Sequence, residues 1–165
     1  MIIRGFPPIA RRDARILVLG SMPSVTSLAA GEYYAHPQNR FWPIVGEILG
    51  FDPQASYARR KAALRRSGIA LWDVAGSCER EGSLDSAIVE DSIVANDFAS
   101  FFVSHRAIGR VCFNGRKAEA AWRRHVLRQW PAPPALDYRL LPSTSPAHAG
   151  MGYRSKLESW RSALA

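Results

Sequence analysis

A chain of 165 residues, 47% of them apolar, can bury one sizeable core and is read as a single domain over residues 1–165. No run approaches the ~20 unbroken apolar residues of a membrane span, and MIIRGFPPIARRDAR has no secretory apolar core, so a cytoplasmic protein without a membrane partner is expected. The net charge is +8, and 19 of the 22 basic residues are arginine, which suits bidentate contact with the phosphates of a nucleic acid, although a GC-rich genome gives the same bias.

The first regular element is the short apolar strand Ile16–Leu19, followed at once by GSMPS, Gly20–Ser24. Helices are expected over Arg40–Leu49 and Tyr57–Arg66, with Gly50 and Gly68 as their stops. A second buried strand, Ile69–Val74, leads into a polar stretch over residues 76–95 (GSCEREGSLDSAIVEDS), read as a loop excursion at the rim. A helix capped by Asn96 then runs over Asn96–His105. Strand Arg110–Phe113, helix Arg116–Gln129, the proline-bearing surface connection 130–135, strand Tyr138–Leu141 and helix Tyr153–Leu164 complete the order β-α-α-β-α-β-α-β-α. Short apolar strands alternating with helices predict an α/β fold: a three-layer α/β/α sandwich with a central four-stranded parallel sheet. Two cysteines, Cys78 and Cys112, are too few for a disulfide framework or an iron–sulfur cluster and are expected as reduced thiols. The four scattered histidines form no HExxH pattern, so no metal site is expected.

Three segments carry the chemistry. GSMPS and LPSTSPAHA (Leu141–Ala149) each follow a strand, and the carboxyl rim of a parallel sheet is where ligands bind. Between them lies YYAHPQNRFW, Tyr33–Trp42, which suits a flat ring beside a phosphate backbone. The backbone amides around Ser21–Ser24 can bind a carbonyl oxygen or phosphate; this is not a P-loop, because GxxxxGK[ST] is absent.

GSMPS, YYAHPQNRFW, GIALWDV and LPSTSPAHA, in this order across residues 15–160, resemble the uracil-DNA glycosylase superfamily, in particular its hypoxanthine-DNA (deoxyinosine) glycosylase branch. The resemblance implies base excision from DNA: a damaged nucleotide is flipped into a pocket and its N-glycosidic bond is hydrolysed through an oxocarbenium-like transition state. It implies no metal or organic cofactor. A Schiff-base lysine is missing from these motifs, so lyase activity is not expected, and monomer is the default. Hypoxanthine is the favoured base, with uracil or xanthine as alternatives. A catalytically silent damage-binding module is an alternative of another class; a Rossmann-like enzyme is disfavoured without GxGxxG.

Two departures shape the site. Relatives carry Asp or Asn where this chain has Met22, and many carry His or Asn where it has Leu141. The resemblance then places the catalytic role on Asn39, whose amide can orient water but is not a strong base, so slow turnover is expected. The competing reading makes Asn39 a helix N-cap; a catalytic Asn39 leaves capping to a neighbour such as Gln38, or to none. By the same resemblance Tyr34 stacks on the base, Ser21 and Met22 contact it, and Asp73 stands where relatives place a base-reading Asn. An ionised Asp73 only accepts hydrogen bonds, whereas a raised pKa lets it also donate; its other reading is a partner for loop backbone. Ser143, Thr144, Ser145 and Pro146 resemble the loop that enters the minor groove. Phe41 and Trp42 are expected in the core, Asn114 as a turn or helix cap, and Arg116, Lys117, Arg123 and Arg124 on a solvated helix face. His36 is either a structural residue or a neighbour of the site.

Overall fold

Side chains alternate across a strand, and in this chain the alternation divides the core. The computed structural model describes residues 1–148 and 150–165; Ala149, the last residue of LPSTSPAHA, lies outside them. Strands β2 (Ile16–Gly20), β3 (Ile69–Asp73), β6 (Arg110–Asn114) and β7 (Asp137–Leu141) form a parallel sheet in the order β3-β2-β6-β7. Leu17, Leu19, Ala70, Trp72, Val111 and Phe113 face one core, and Val18, Ile69, Leu71, Cys112 and Leu141 face the other. Helices α2 (Phe41–Leu49), α3 (Tyr57–Arg66) and α6 (Tyr153–Leu164) cover the second face. Helices α4 (Phe98–Ser104) and α5 (Arg116–His125) cover the first, completing the three layers.

Helix α6 shows how the sequence builds this packing. Leu157, Trp160, Ala163 and Leu164 recur at helical spacing on one buried stripe. The Trp160 indole N–H also donates to the Pro142 carbonyl at 3.0 Å. One residue thus supplies core volume and a tether for the loop after β7. The edge of β3 is covered by Ile9, which exchanges both backbone hydrogen bonds with Leu71 and leaves that edge little room for another strand.

The structure revises several expectations. Residues 76–95 are not a simple loop. Strands β4 (Ala75–Glu79) and β5 (Val94–Ala95) join β1 (Ile2–Arg4) in an antiparallel sheet of order β1-β4-β5. These strands are two to five residues long, too short for an apolar run to announce them. Met22, Ala75, Cys78, Ile88 and Ile93 form a small third core beneath them. Helix α1 (Val25–Ala30), capped by Ser24, was also unexpected. The cap of α4 is Asp97, whose carboxylate accepts from Ser100 N–H. Asn96 instead donates its amide to the Asp73 carbonyl at 2.8 Å. The helix expected over Arg116–Gln129 is α-helical only to His125 and ends in a 3-10 turn over Leu127–Gln129. On α5, Arg116, Arg123 and Arg124 are exposed, but Lys117 is not a free solvated cation. It pairs with Glu90, which also meets His125 Nε2 at 2.9 Å and so tethers the excursion to α5. No helix among the described residues is long and apolar enough to cross a membrane.

Candidate active site

All four parallel strands end on one row: Asp73, Gly20, Asn114 and Leu141. Gly20 pairs with Asp73 and Asn114 with Leu141, while Leu19 pairs with Phe113, which sets Gly20 beside Asn114. Asp73, Gly20 and Asn114 stand two residues beyond Leu71, Val18 and Cys112, so they share the face of the sheet covered by α2 and α6. Asp73 and Asn114 are two strand spacings apart, about 9.5 Å, with a residue that has no side chain between them. The row is a trough.

Gly20 is required there by close approach. A Cβ on it would lie 2.5 Å from Asp73 Oδ1 and 2.9 Å from the Tyr34 hydroxyl oxygen, both below normal contact. A carboxyl, a phenol and the strand backbone therefore converge at one point. Tyr34 is the only non-glycine with positive φ among the described residues (φ 55°), a conformation that costs about 1–2 kcal/mol. Its ring rests on Phe41 at a centroid distance of 4.2 Å and an interplanar angle of 21°, and burial pushes its phenol pKa upward.

Asn114 connects the segments. Its Nδ2 donates to the Tyr34 hydroxyl at 3.1 Å and to Thr144 Oγ1 at 2.9 Å, while its Oδ1 accepts from Thr144 N–H at 2.9 Å. It is neither a turn residue nor a helix cap, as was expected, but the brace between YYAHPQNRFW and LPSTSPAHA. An Asn before Gly-Arg reads locally as a turn; its position at the end of a strand, level with Asp73, is the signal that marks it. Thr144 is fully buried. Arg40 N–H reaches the Thr144 carbonyl at 3.0 Å, a second stitch between the same loops. Replacing Asn114 with Ala strands these buried partners and is expected to lower stability by roughly 1–3 kcal/mol. Hydrogen exchange at the Thr144 amide reads the effect directly; protection equal to wild type would show that the brace does not hold the loop.

Asp73 is the most perturbed acid. It is 4% exposed, its Oδ2 has no hydrogen-bond partner among the described residues, and its pKa is raised to about 7. Burial is the main cause and the Asp85 charge adds to it, while the Arg80 cation opposes both. Arg80 was not singled out from sequence. It is 4% exposed, and its guanidinium donates to the carbonyls of Pro23 and Gly82. It fixes the GSMPS loop from behind.

The remaining candidates divide. Ser21 Oγ donates to Asp85 Oδ1 at 2.6 Å, the carboxylate whose charge acts on Asp73. The Met22 side chain is buried in the third core, so only its backbone is available to a ligand. No protein acceptor meets the N–H groups of Ser21 and Met22 among the described residues. Leu141 is buried under α6. Asn39 Oδ1 accepts from Phe41 N–H at 2.9 Å. The N-cap position of α2 is Arg40, which makes no side-chain cap bond; Asn39, one residue before it, caps the first helical N–H, and Gln38 does not. One carbonyl lone pair and the amide donors of Asn39 remain. His36 Nδ1 accepts from Gln38 N–H and shapes the same turn. Phe41 and Trp42 are core residues. Ser143 and Ser145 hydroxyls accept from Ser145 and Ala147 N–H, bracing the turn at exposed Pro146.

The family model of the uracil DNA glycosylase superfamily matches residues 7–164. The chain belongs to that superfamily. This uracil DNA glycosylase superfamily member is 41% identical over 119 residues to a hypoxanthine DNA glycosylase of Methanosarcina acetivorans, covering 72% of this chain and 74% of that one. It is 40% identical over 116 residues to a hypoxanthine DNA glycosylase of Methanosarcina barkeri, covering 70% and 72%. The solution NMR structure of a candidate uracil DNA glycosylase from Methanosarcina acetivorans superposes with a TM-score of 0.82 at 34% identity, covering 99% of this chain and 97% of that one.

Proposed function

We propose that this superfamily member is a monofunctional, cytoplasmic DNA glycosylase, working as a monomer, that excises deaminated bases, hypoxanthine first. The observation that carries the reading is the glycine-floored trough, where Asp73 and Tyr34 converge over Gly20 beside two free backbone N–H groups. Hypoxanthine presents a carbonyl oxygen next to an N–H. The Ser21 and Met22 amides donate to the carbonyl, and neutral Asp73 both accepts the N–H and donates to the carbonyl. Adenine places an amino group where fixed donors meet it badly, so a buried donor goes unpaired. Tyr34, backed by Phe41, offers its remaining face to the base, a stack worth about 1–3 kcal/mol.

Asn39 then orients a water through its free lone pair. Water attacks C1′, the bond from C1′ to the base nitrogen breaks, and the electron pair leaves with the base. The proton released by the water passes to solvent or to the departing base. Held geometry and donors aimed at the base supply the rate enhancement, because no strong base is present. Ser143, Ser145 and Pro146 form the face of the loop that enters beside the flipped nucleotide; Thr144, expected with them, is fully buried and anchors the loop to Asn114 instead.

Labelled duplexes with a single inosine, uracil or xanthosine test this. The expected result is strand breakage at inosine only after alkali, which also reports the absence of lyase chemistry. Binding without breakage at all three lesions would replace the enzyme with a silent damage reader, the reading that buried Met22 and Leu141 favour.

A further inference from the structure

A cleft of about 290 Å³ opens beside the trough, lined by Gln38, Arg40, Ser145, His148, Tyr153 and Lys156 among others. Lys156 is only 4% exposed, yet among the described residues its ammonium has a single protein partner, the neutral carbonyl of His148 at 2.6 Å. Arg40 extends over the Tyr153 ring, its guanidinium carbon 5.7 Å from the centroid. Neither cation has a carboxylate within ion-pair distance among the described residues. The first turn of α6, at the same cleft, carries no acid and no side-chain cap. Two cations facing one cleft, one of them buried, repel each other and are costly without an anion. Burial and the Arg40 charge both lower the Lys156 pKa.

We propose that this cleft seats one phosphodiester group of the DNA strand, with Arg40 supplying a planar fork and Lys156 a buried point charge. The inference rests on the glycosylase reading for the identity of the strand. Position supports it: Arg40 follows Asn39 directly, and its own N–H is bonded to Thr144. A phosphate here fixes the backbone next to the flipped nucleotide, close to the Ser143 and Ser145 hydroxyls, which accept from their own turn and keep their O–H donors.

Affinity of the full chain for a lesion-free duplex, measured across a salt series, tests the seat for wild type, Arg40→Gln and Lys156→Met. Arg40 is exposed, so its variant keeps the fold, and thermal melting checks the buried lysine. Each variant is expected to bind more weakly, and the salt dependence of log K to become shallower by about 0.9 for one lost phosphate contact. An unchanged slope in both folded variants overturns the proposal, even if inosine excision by wild type stands. A shallower slope with no excision by wild type keeps the seat and removes the glycosylase reading. Inorganic phosphate, titrated at constant ionic strength, separates the two sources of the anion. Competition with duplex that is lost in Arg40→Gln supports the seat. Phosphate-induced shifts at Arg40 and Tyr153, with the duplex slope unaltered by substitution, would assign the cleft to free phosphate and overturn the proposal.

Discussion

Asn39→Ala is expected to lower single-turnover excision of inosine by at least ~10²-fold, the scale of a positioned group that handles the reacting water. The same change also removes the oxygen that caps α2, which costs about 1 kcal/mol. Two further variants separate these effects. Asn39→Ser keeps a short oxygen acceptor for Phe41 N–H but removes the carboxamide; it is expected to melt close to wild type and to be as inactive as the alanine variant. Asn39→Asp keeps the cap and adds a stronger proton acceptor, so it is expected to retain or exceed wild-type excision. Wild-type rates in the alanine variant would confine Asn39 to its capping role and leave the trough without a residue that handles water.

The second large effect is on stability and follows from burial of Asp73. Its ordinary pKa of 3.8 is raised to about 7 in the folded chain. Between these values the folded state holds a proton that the unfolded state has released. Stability is therefore complete below about pH 4 and falls as pH rises through 7, by ~4 kcal/mol in all. Asp73→Asn has no such titration. Its stability relative to wild type is expected to rise across this window, and at pH 8 the variant should be the more stable protein by several kcal/mol. Urea unfolding of both proteins from pH 5 to 8 gives the difference directly and cancels the other titrating groups. Parallel curves would show that the carboxyl is solvated or paired in solution. Excision should follow the same proton: wild-type activity declines above pH 7, where the carboxylate faces the base carbonyl, while the Asn variant stays level.

The main sheet was legible because β2, β3 and β6 are apolar runs buried on both faces, whereas β7 (DYRLL) is an edge strand with Tyr138 and Leu140 exposed; the three motifs were legible because they follow strands or concentrate aromatic and amide groups. The small sheet was not, because Ile2–Arg4 pairs with residues more than seventy positions away, Ser77, Cys78 and Glu79, and nothing in its own three residues reports that partner. Asn114 and Arg80 were hidden for a related reason. Their importance lies in distant partners, Tyr34 and Thr144 for one and Pro23 for the other, and local composition describes only turns and surface charge. Met22 shows the opposite case. Its apolar character was visible, and it goes where an apolar side chain is expected to go, beneath the small sheet.

The loop after β7 is anchored at Pro142 by Trp160, at Thr144 by Asn114 and Arg40, and at His148 by Lys156. On the glycosylase reading proposed above, a wedge anchored at these points leaves the distortion of encounter to the helix being inspected. Discrimination then begins before any base reaches the trough: nucleotides in weak or mispaired steps yield first, and sound duplex resists. Inosine opposite thymine should consequently be released faster than inosine opposite cytosine, with the opposing strand setting the rate through the strength of the pair it must surrender.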